Sequence, residues 1–215
     1  MLKLIKEFKP FTVLIFITIG LLFIQAMADL ALPDYMSNIV NIGVQQNGIE
    51  NAVPEVMRVE EMEKIKIFLN QDEISLLNSN YTLIDRENLT EKEYKKYIGK
   101  YPTLENENLY ILNKNSQEYI DEMNSFLGKA IIIVSSIENG APIGIGKSDE
   151  ANGEDFFGNI PEGMDPFVAL KNLPQEQLDS IRTQIDYRLG NLPDTMITQT
   201  AITHIKDQYE SMGIN

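Results

Sequence analysis

FTVLIFITIGLLFIQAMA, residues 11–28, runs for eighteen residues without one charge. At about 1.5 Å rise per residue, a helix of that length covers about 27 Å, close to the hydrocarbon thickness of a bilayer. A soluble core helix keeps a polar face for water, and this run has none, so it belongs in lipid or in a secretion channel. Lys3, Lys6 and Lys9 precede it, and Asp29 and Asp34 follow. The bias of basic residues toward the cytoplasmic side predicts residues 1–10 as a cytoplasmic N-terminus in a cell-membrane protein. Everything after the span is then extracytoplasmic.

A cleaved signal peptide is the alternative. Lys3 to Lys9 form a basic n-region, the apolar run an h-region, and Ala26-Met27-Ala28 an A-x-A cleavage pattern. The apolar face nevertheless continues past Ala28 through Leu30, Ala31, Leu32, Met36, Ile39 and Val40 at helical spacing. Gly43 and Gly48 offer later stops, with Asp29 at the interface. This continuation favours an anchor. The expected organisation is a first transmembrane helix with its extension over residues 11–43, then an extracytoplasmic domain over residues 44–215.

With the three lysines and one glutamate of residues 1–28 set aside, 15 basic residues face 31 acidic ones, a net of −16. Such a surface repels nucleic acid and anionic headgroups, so no nucleic-acid partner is expected. The remaining length suffices for one hydrophobic core. Absence of cysteine excludes disulfides and thiolate chemistry without identifying a compartment.

The outer region reads as mainly α. Val59, Met62, Ile65 and Leu69 predict an amphipathic helix over residues 59–70, with Glu60, Glu61 and Glu63 on its wet side. Thr90 and Glu93 form a capping box for a short helix reaching Ile98. Residues 81–85 and 109–113 are rich in strand formers and predict a small two-stranded β ribbon. Ser116 caps a longer helix running to Glu138 through Tyr119, Ile120, Met123, Leu127 and Ile131. Six glycines and three prolines between residues 139 and 166 predict a loop or hinge. Leu178, Ile181, Ile185 and Leu189 mark a helix from Pro174 to Gly190. Ile197, Ala201, Ile205, Tyr209 and Met212 mark another, from Pro193 to a C-cap at Gly213. The short turn at Gly190-Asn191-Leu192 predicts that these two helices pack antiparallel.

No motif assigns a catalytic, cofactor-binding or metal-binding residue. Ala141-Pro142-Ile143-Gly144-Ile145-Gly146-Lys147-Ser148 fits a relaxed phosphate-loop pattern. Yet Asp149, Glu150, Glu154 and Asp155 follow it where a helix N-terminus should hold phosphate. The same acidic stretch misses the calcium-loop pattern, since counting from Asp149 places Ala151 and Ile160 at ligand positions. A solvated loop suits both. His204 is the only histidine, and Asp207 alone is too little to make it a metal ligand or general base, so it reads as a surface or packing residue. Asn80-Tyr81-Thr82 and Asn88-Leu89-Thr90 fit the glycosylation pattern.

The order Leu4-Ile5-Lys6-Glu7-Phe8-Lys9-Pro10, apolar run, then Ala28-Asp29-Leu30-Ala31-Leu32-Pro33-Asp34-Tyr35-Met36-Ser37-Asn38-Ile39-Val40-Asn41-Ile42-Gly43-Val44 resembles the start of bacterial ATP-binding cassette exporters of the multidrug type. Their first transmembrane helix ends in a similar LALP…M-x-x-I-V-x-x-G stretch. The resemblance implies the N-terminal part of a permease with a long extracytoplasmic insertion from about residue 49 to residue 215, ending before a second transmembrane helix. It implies membrane lipid, the remaining transmembrane helices and a nucleotide-binding domain as partners, in a homo- or heterodimer of half-transporters. ATP and magnesium are implied for the full-length family only. This chain holds one long apolar segment, so it transports nothing by itself and is no enzyme. The rival reading is a secreted or singly anchored helical binding domain.

Overall fold

A computed structural model of the chain describes residues 11–46, 48–113, 118–140, 160 and 163–214. Lys3, Lys6 and Lys9, the cap expected at Ser116, the phosphate-loop-like stretch 141–148 and the acidic stretch 149–155 lie outside the described residues. The fold is mainly α, with one long apolar N-terminal helix and a small antiparallel sheet. Two compact units form, Met1–Gly48 and Ile49–Asn215.

In the first unit, helix α1 covers Thr12–Asn38, and a π-helical segment, Ile39–Gln45, prolongs it. Gly43 is thus helical rather than a stop. The prolongation ends at Gln45, and at Gly48 a φ of 83° suits glycine while its N–H donates to the Ile42 carbonyl at 2.7 Å. Thr12–Ser37 has a mean hydropathy of 2.2 in its apolar window, and none of that window is buried in the protein. Thr18 turns its hydroxyl back onto the Leu14 carbonyl at 2.9 Å, leaving little polarity to expose. This is the length and composition that a membrane span and a secretory signal share.

The second unit is built on α5, Ile120–Glu138, in which eleven of nineteen residues are buried. The unit also holds α2 (Val59–Ile67), α3 (Gln71–Asn80), α4 (Glu91–Ile98), α6 (Pro166–Lys171), α7 (Gln175–Leu189) and α8 (Asp194–Ser211), with α4 packed into a smaller cluster of its own. The helix expected over residues 59–70 stops at Ile67. Asn70 accepts from the Asp72 and Glu73 N–H groups, and Glu73 accepts from the Asn70 N–H, a complete capping box that starts α3 instead. The box at Thr90 starts α4 as expected.

The expected ribbon is present, with one strand more. β2 (Tyr81–Ile84) and β3 (Leu109–Leu112) pair antiparallel with Tyr81 opposite Leu112, and β1 (Val56–Arg58) joins the other edge of β3. Alternation along the strands serves two clusters. Met57, Tyr81, Tyr110 and Leu112 join the main core, whereas Val56, Ile84, Leu109 and Ile111 join a smaller one with Tyr101, Leu104 and Met212.

The antiparallel pairing expected between α7 and α8 is not the closest one: the main backbone neighbour of α8 is α5. Gly128 is the reason. A Cβ there would meet Ile197 Cγ2 at 3.0 Å and Ala52 Cβ at 3.5 Å, so any larger residue would push the Ile197 side chain of α8 back by a few tenths of an ångström.

Candidate functional site

Where α2, the end of α5 and the middle of α8 meet, an imidazole, three carboxylates and one ammonium form a chain of contacts. On α2, Met62 and Ile65 define the inward arc, and Glu61 lies about 40° round the helix from Ile65, flanking that arc. Its carboxylate is therefore buried, with 8% of the side chain exposed, and Oε1 lies 2.9 Å from His204 Nε2. His204 is equally buried, between Ala201, Ile202 and Ile205. Glu138, the last residue of α5, brings Oε2 to 4.0 Å from the same nitrogen.

Lys64 completes the cluster. Its Nζ donates to Glu138 Oε1 at 2.8 Å and pairs with Glu60 at 2.7 Å, while lying 5.2 Å from the Phe167 ring centre. Burial pulls its pKa down, but hydrogen bonds to Glu138 and Glu60, with their attraction, outweigh burial and hold it above the ordinary lysine range. Lys64 thus stays an ammonium and cannot serve as a base near neutral pH. It also offsets the poor placement of Glu138 at a helix C-terminus, where the helix dipole repels a carboxylate.

A small crevice with mostly apolar walls, including Met57, Ile65, Ile131 and Tyr209, is also lined by Glu61, His204, Arg58 and Gln208. Arg58 pairs with Glu107 at 2.8 Å. Tyr209 Oη accepts from the Glu55 N–H at 2.6 Å. Burial above all pushes the Tyr209 hydroxyl up to about 12, although hydrogen bonds from the Glu55 and Val56 backbone pull the other way.

A second cleft is mixed in charge. Lys129 pairs with Asp186 at 2.8 Å, Arg182 with Asp179 at 2.7 Å, and Arg182 Nη2 donates to the Ile67 carbonyl at 3.0 Å. Both of its cations are already paired with its acids, and Glu73 adds a further carboxylate to the lining, so it offers no free positive charge to a ligand.

Sequence reasoning placed Glu60, Glu61 and Glu63 on the wet side of α2. Glu60 is exposed and Glu63 partly so, but Glu61 is a core residue. His204 is indeed a packing histidine, and its partner is Glu61, 143 positions away, while Asp207 is exposed. The angular position of Glu61 beside Ile65 was the available signal. Of the two glycosylation-pattern asparagines, Asn80 is buried and donates to the Leu76 carbonyl, whereas Asn88 is exposed.

Chemically, the cluster can balance buried charge or ligate a cation. Compared with known proteins, the chain stands apart: no family model, no curated protein and no solved structure matches it.

Proposed function

We propose that this chain is the first membrane-spanning helix and the outer domain of an exporter permease of the ATP-binding cassette type. Residues 1–10 are cytoplasmic, and the chain after about residue 43 is extracytoplasmic. One observation carries the reading: residues 12–28 of α1 are uncharged around the whole circumference over about a bilayer's thickness, with lysines before them in the sequence and Asp29 and Asp34 in the later turns of the same helix. The LALP…M-x-x-I-V-x-x-G stretch supports it further, because it lies on the last turns of α1 and its π-helical prolongation.

The partners of this reading are lipid, further membrane helices and a nucleotide-binding domain outside this sequence, assembled as a dimer of half-transporters. ATP hydrolysis belongs to that domain. The outer unit flanks the outward opening or meets a partner there. The rival, a secreted helical domain cleaved after Ala28, would begin its mature chain in mid-helix, since α1 runs unbroken from Thr12 to Asn38.

The chain has no cysteine, so single introduced cysteines report topology cleanly. In intact cells, Ser79→Cys should react with an impermeant maleimide and Lys3→Cys should not. Labelling of Lys3→Cys alone would invert the topology and remove the exporter reading. A mature N-terminus at Asp29 would favour the secreted domain. An apolar stretch of about 20 residues shortly downstream of Asn215 would favour the permease.

A further inference from the structure

We propose that Glu61, Glu138 and His204 form a binding site for a transition-series divalent cation of the zinc class, closing α2 and the end of α5 onto α8. Three donors come from positions far apart in the chain and converge on one point: Glu61 Oε1, a Glu138 carboxylate oxygen and His204 Nε2 all lie within 4.8 Å of one another. Donors bound at about 2.0–2.2 Å in a tetrahedral centre sit about 3.3–3.5 Å apart. The observed separations of 2.9 and 4.0 Å from His204 Nε2 bracket that distance, so a small side-chain adjustment completes the set.

Charge supports the same conclusion. Glu60, Glu61 and Glu138 bring three negative charges, and Lys64 returns one, spent on Glu60 and on Glu138 Oε1. With a neutral imidazole the cluster keeps a charge of −2, and Glu61, the more deeply buried carboxylate, faces only that imidazole among its hydrogen-bond partners described. A buried carboxylate needs a cation or strong donors, and a dication supplies the missing charge at one point.

The crevice is the independent observation. It is small and mostly apolar, and it is lined by Glu61 and His204, the two most buried donors, together with Arg58 and Gln208. One imidazole nitrogen with two carboxylates favours zinc-like ions over calcium and magnesium, which prefer all-oxygen surroundings. Lys64 then acts on the outer side of Glu138, holding its other oxygen and orienting the carboxylate.

The test uses the full chain in detergent micelles, stripped with a chelator and titrated with zinc chloride by calorimetry and thermal melting, with cobalt as a spectroscopic substitute. One ion should bind per chain and raise the melting temperature, and cobalt should develop the visible absorption of a low-coordinate centre. His204→Gln and Glu138→Gln should each weaken binding by at least about tenfold. Glu63→Gln and Asp207→Asn, outside the cluster, should leave it unchanged. Should His204→Gln fail to fold, Glu138→Gln, whose side chain is partly open to solvent, carries the comparison. No saturable zinc binding, or zinc and cobalt signals that survive in Glu138→Gln, would overturn the site and assign any binding to surface carboxylates. These readouts do not depend on membrane topology, so the exporter reading stands or falls separately.

Discussion

Helices α1 and α5 are the two most apolar long helices among the described residues, but only α1 has the composition of a membrane span. Their burial is opposite. The apolar window of α1 has no residue buried in the protein, whereas α5 buries eleven of nineteen. The difference lies in the angular distribution of side chains. α5 keeps a polar strip with Asp121, Glu122, Ser125 and Lys129, the last paired with Asp186, so water covers one face and protein the other. α1 has no such strip. A helix apolar on every side needs an apolar solvent all round, and a helix apolar on one side needs a core.

The sharpest way to break this contrast is the same substitution in both helices. Leu127→Ala empties a fully buried position and should lower the stability of the second unit by about 2–5 kcal/mol. Leu22→Ala should leave that unit's urea midpoint unmoved, since Leu22 is exposed in the protein. Equal losses from both would abolish the distinction.

Next in size, Leu22→Arg should oppose membrane insertion by about 3 kcal/mol, moving the chain out of the membrane fraction while the second unit still melts cooperatively. Retention equal to the parent would mean that α1 does not span.

Alkali should separate the two units as well. Tyr209 is raised from the ordinary 10 to about 12, and Tyr81, buried, is raised too. The folded state then holds protons that the unfolded chain releases, so this stability is fully present below pH 10. It is lost as pH climbs toward 12, at most about 2.7 kcal/mol from Tyr209. Melting temperature against pH should fall in that window and fall less steeply in Tyr209→Phe, whereas an alkaline wash should leave the chain in the membrane. A flat profile would contradict the buried hydroxyl.

The smallest effect is local. Asn70→Ala removes the side-chain acceptor of the Asp72 and Glu73 N–H groups and should cost about 1 kcal/mol by denaturant titration, with membrane retention untouched.

Much of this was legible in the residues. Capping at Thr90, the periodicity of α5 and α8, the glycine at 213 with φ of 70° and the pairing of residues 81–84 with 109–112 all rest on local rules. The misses have physical reasons. β1 is three residues long, too short for a period to show, and exists because β3 offers it an edge. The end of α2 was misplaced because Leu69 continued its apolar phase while Asn70 offered a stronger local cap. Glu61 was misread because residue type was weighed above helical angle. Its carboxylate meets His204, and no short-range pattern links positions so distant.

Residues 11–28 determined by composition alone that one helix would be apolar on all sides, because backbone bonds close within the helix whatever surrounds it. Only tertiary structure decided that Gly128 would admit Ile197, that α8 would lie on α5, and that Glu61, Glu138 and His204 would meet. Those outcomes depend on side-chain volume and charge matched across long stretches of chain, a fit that exists only once the elements have packed.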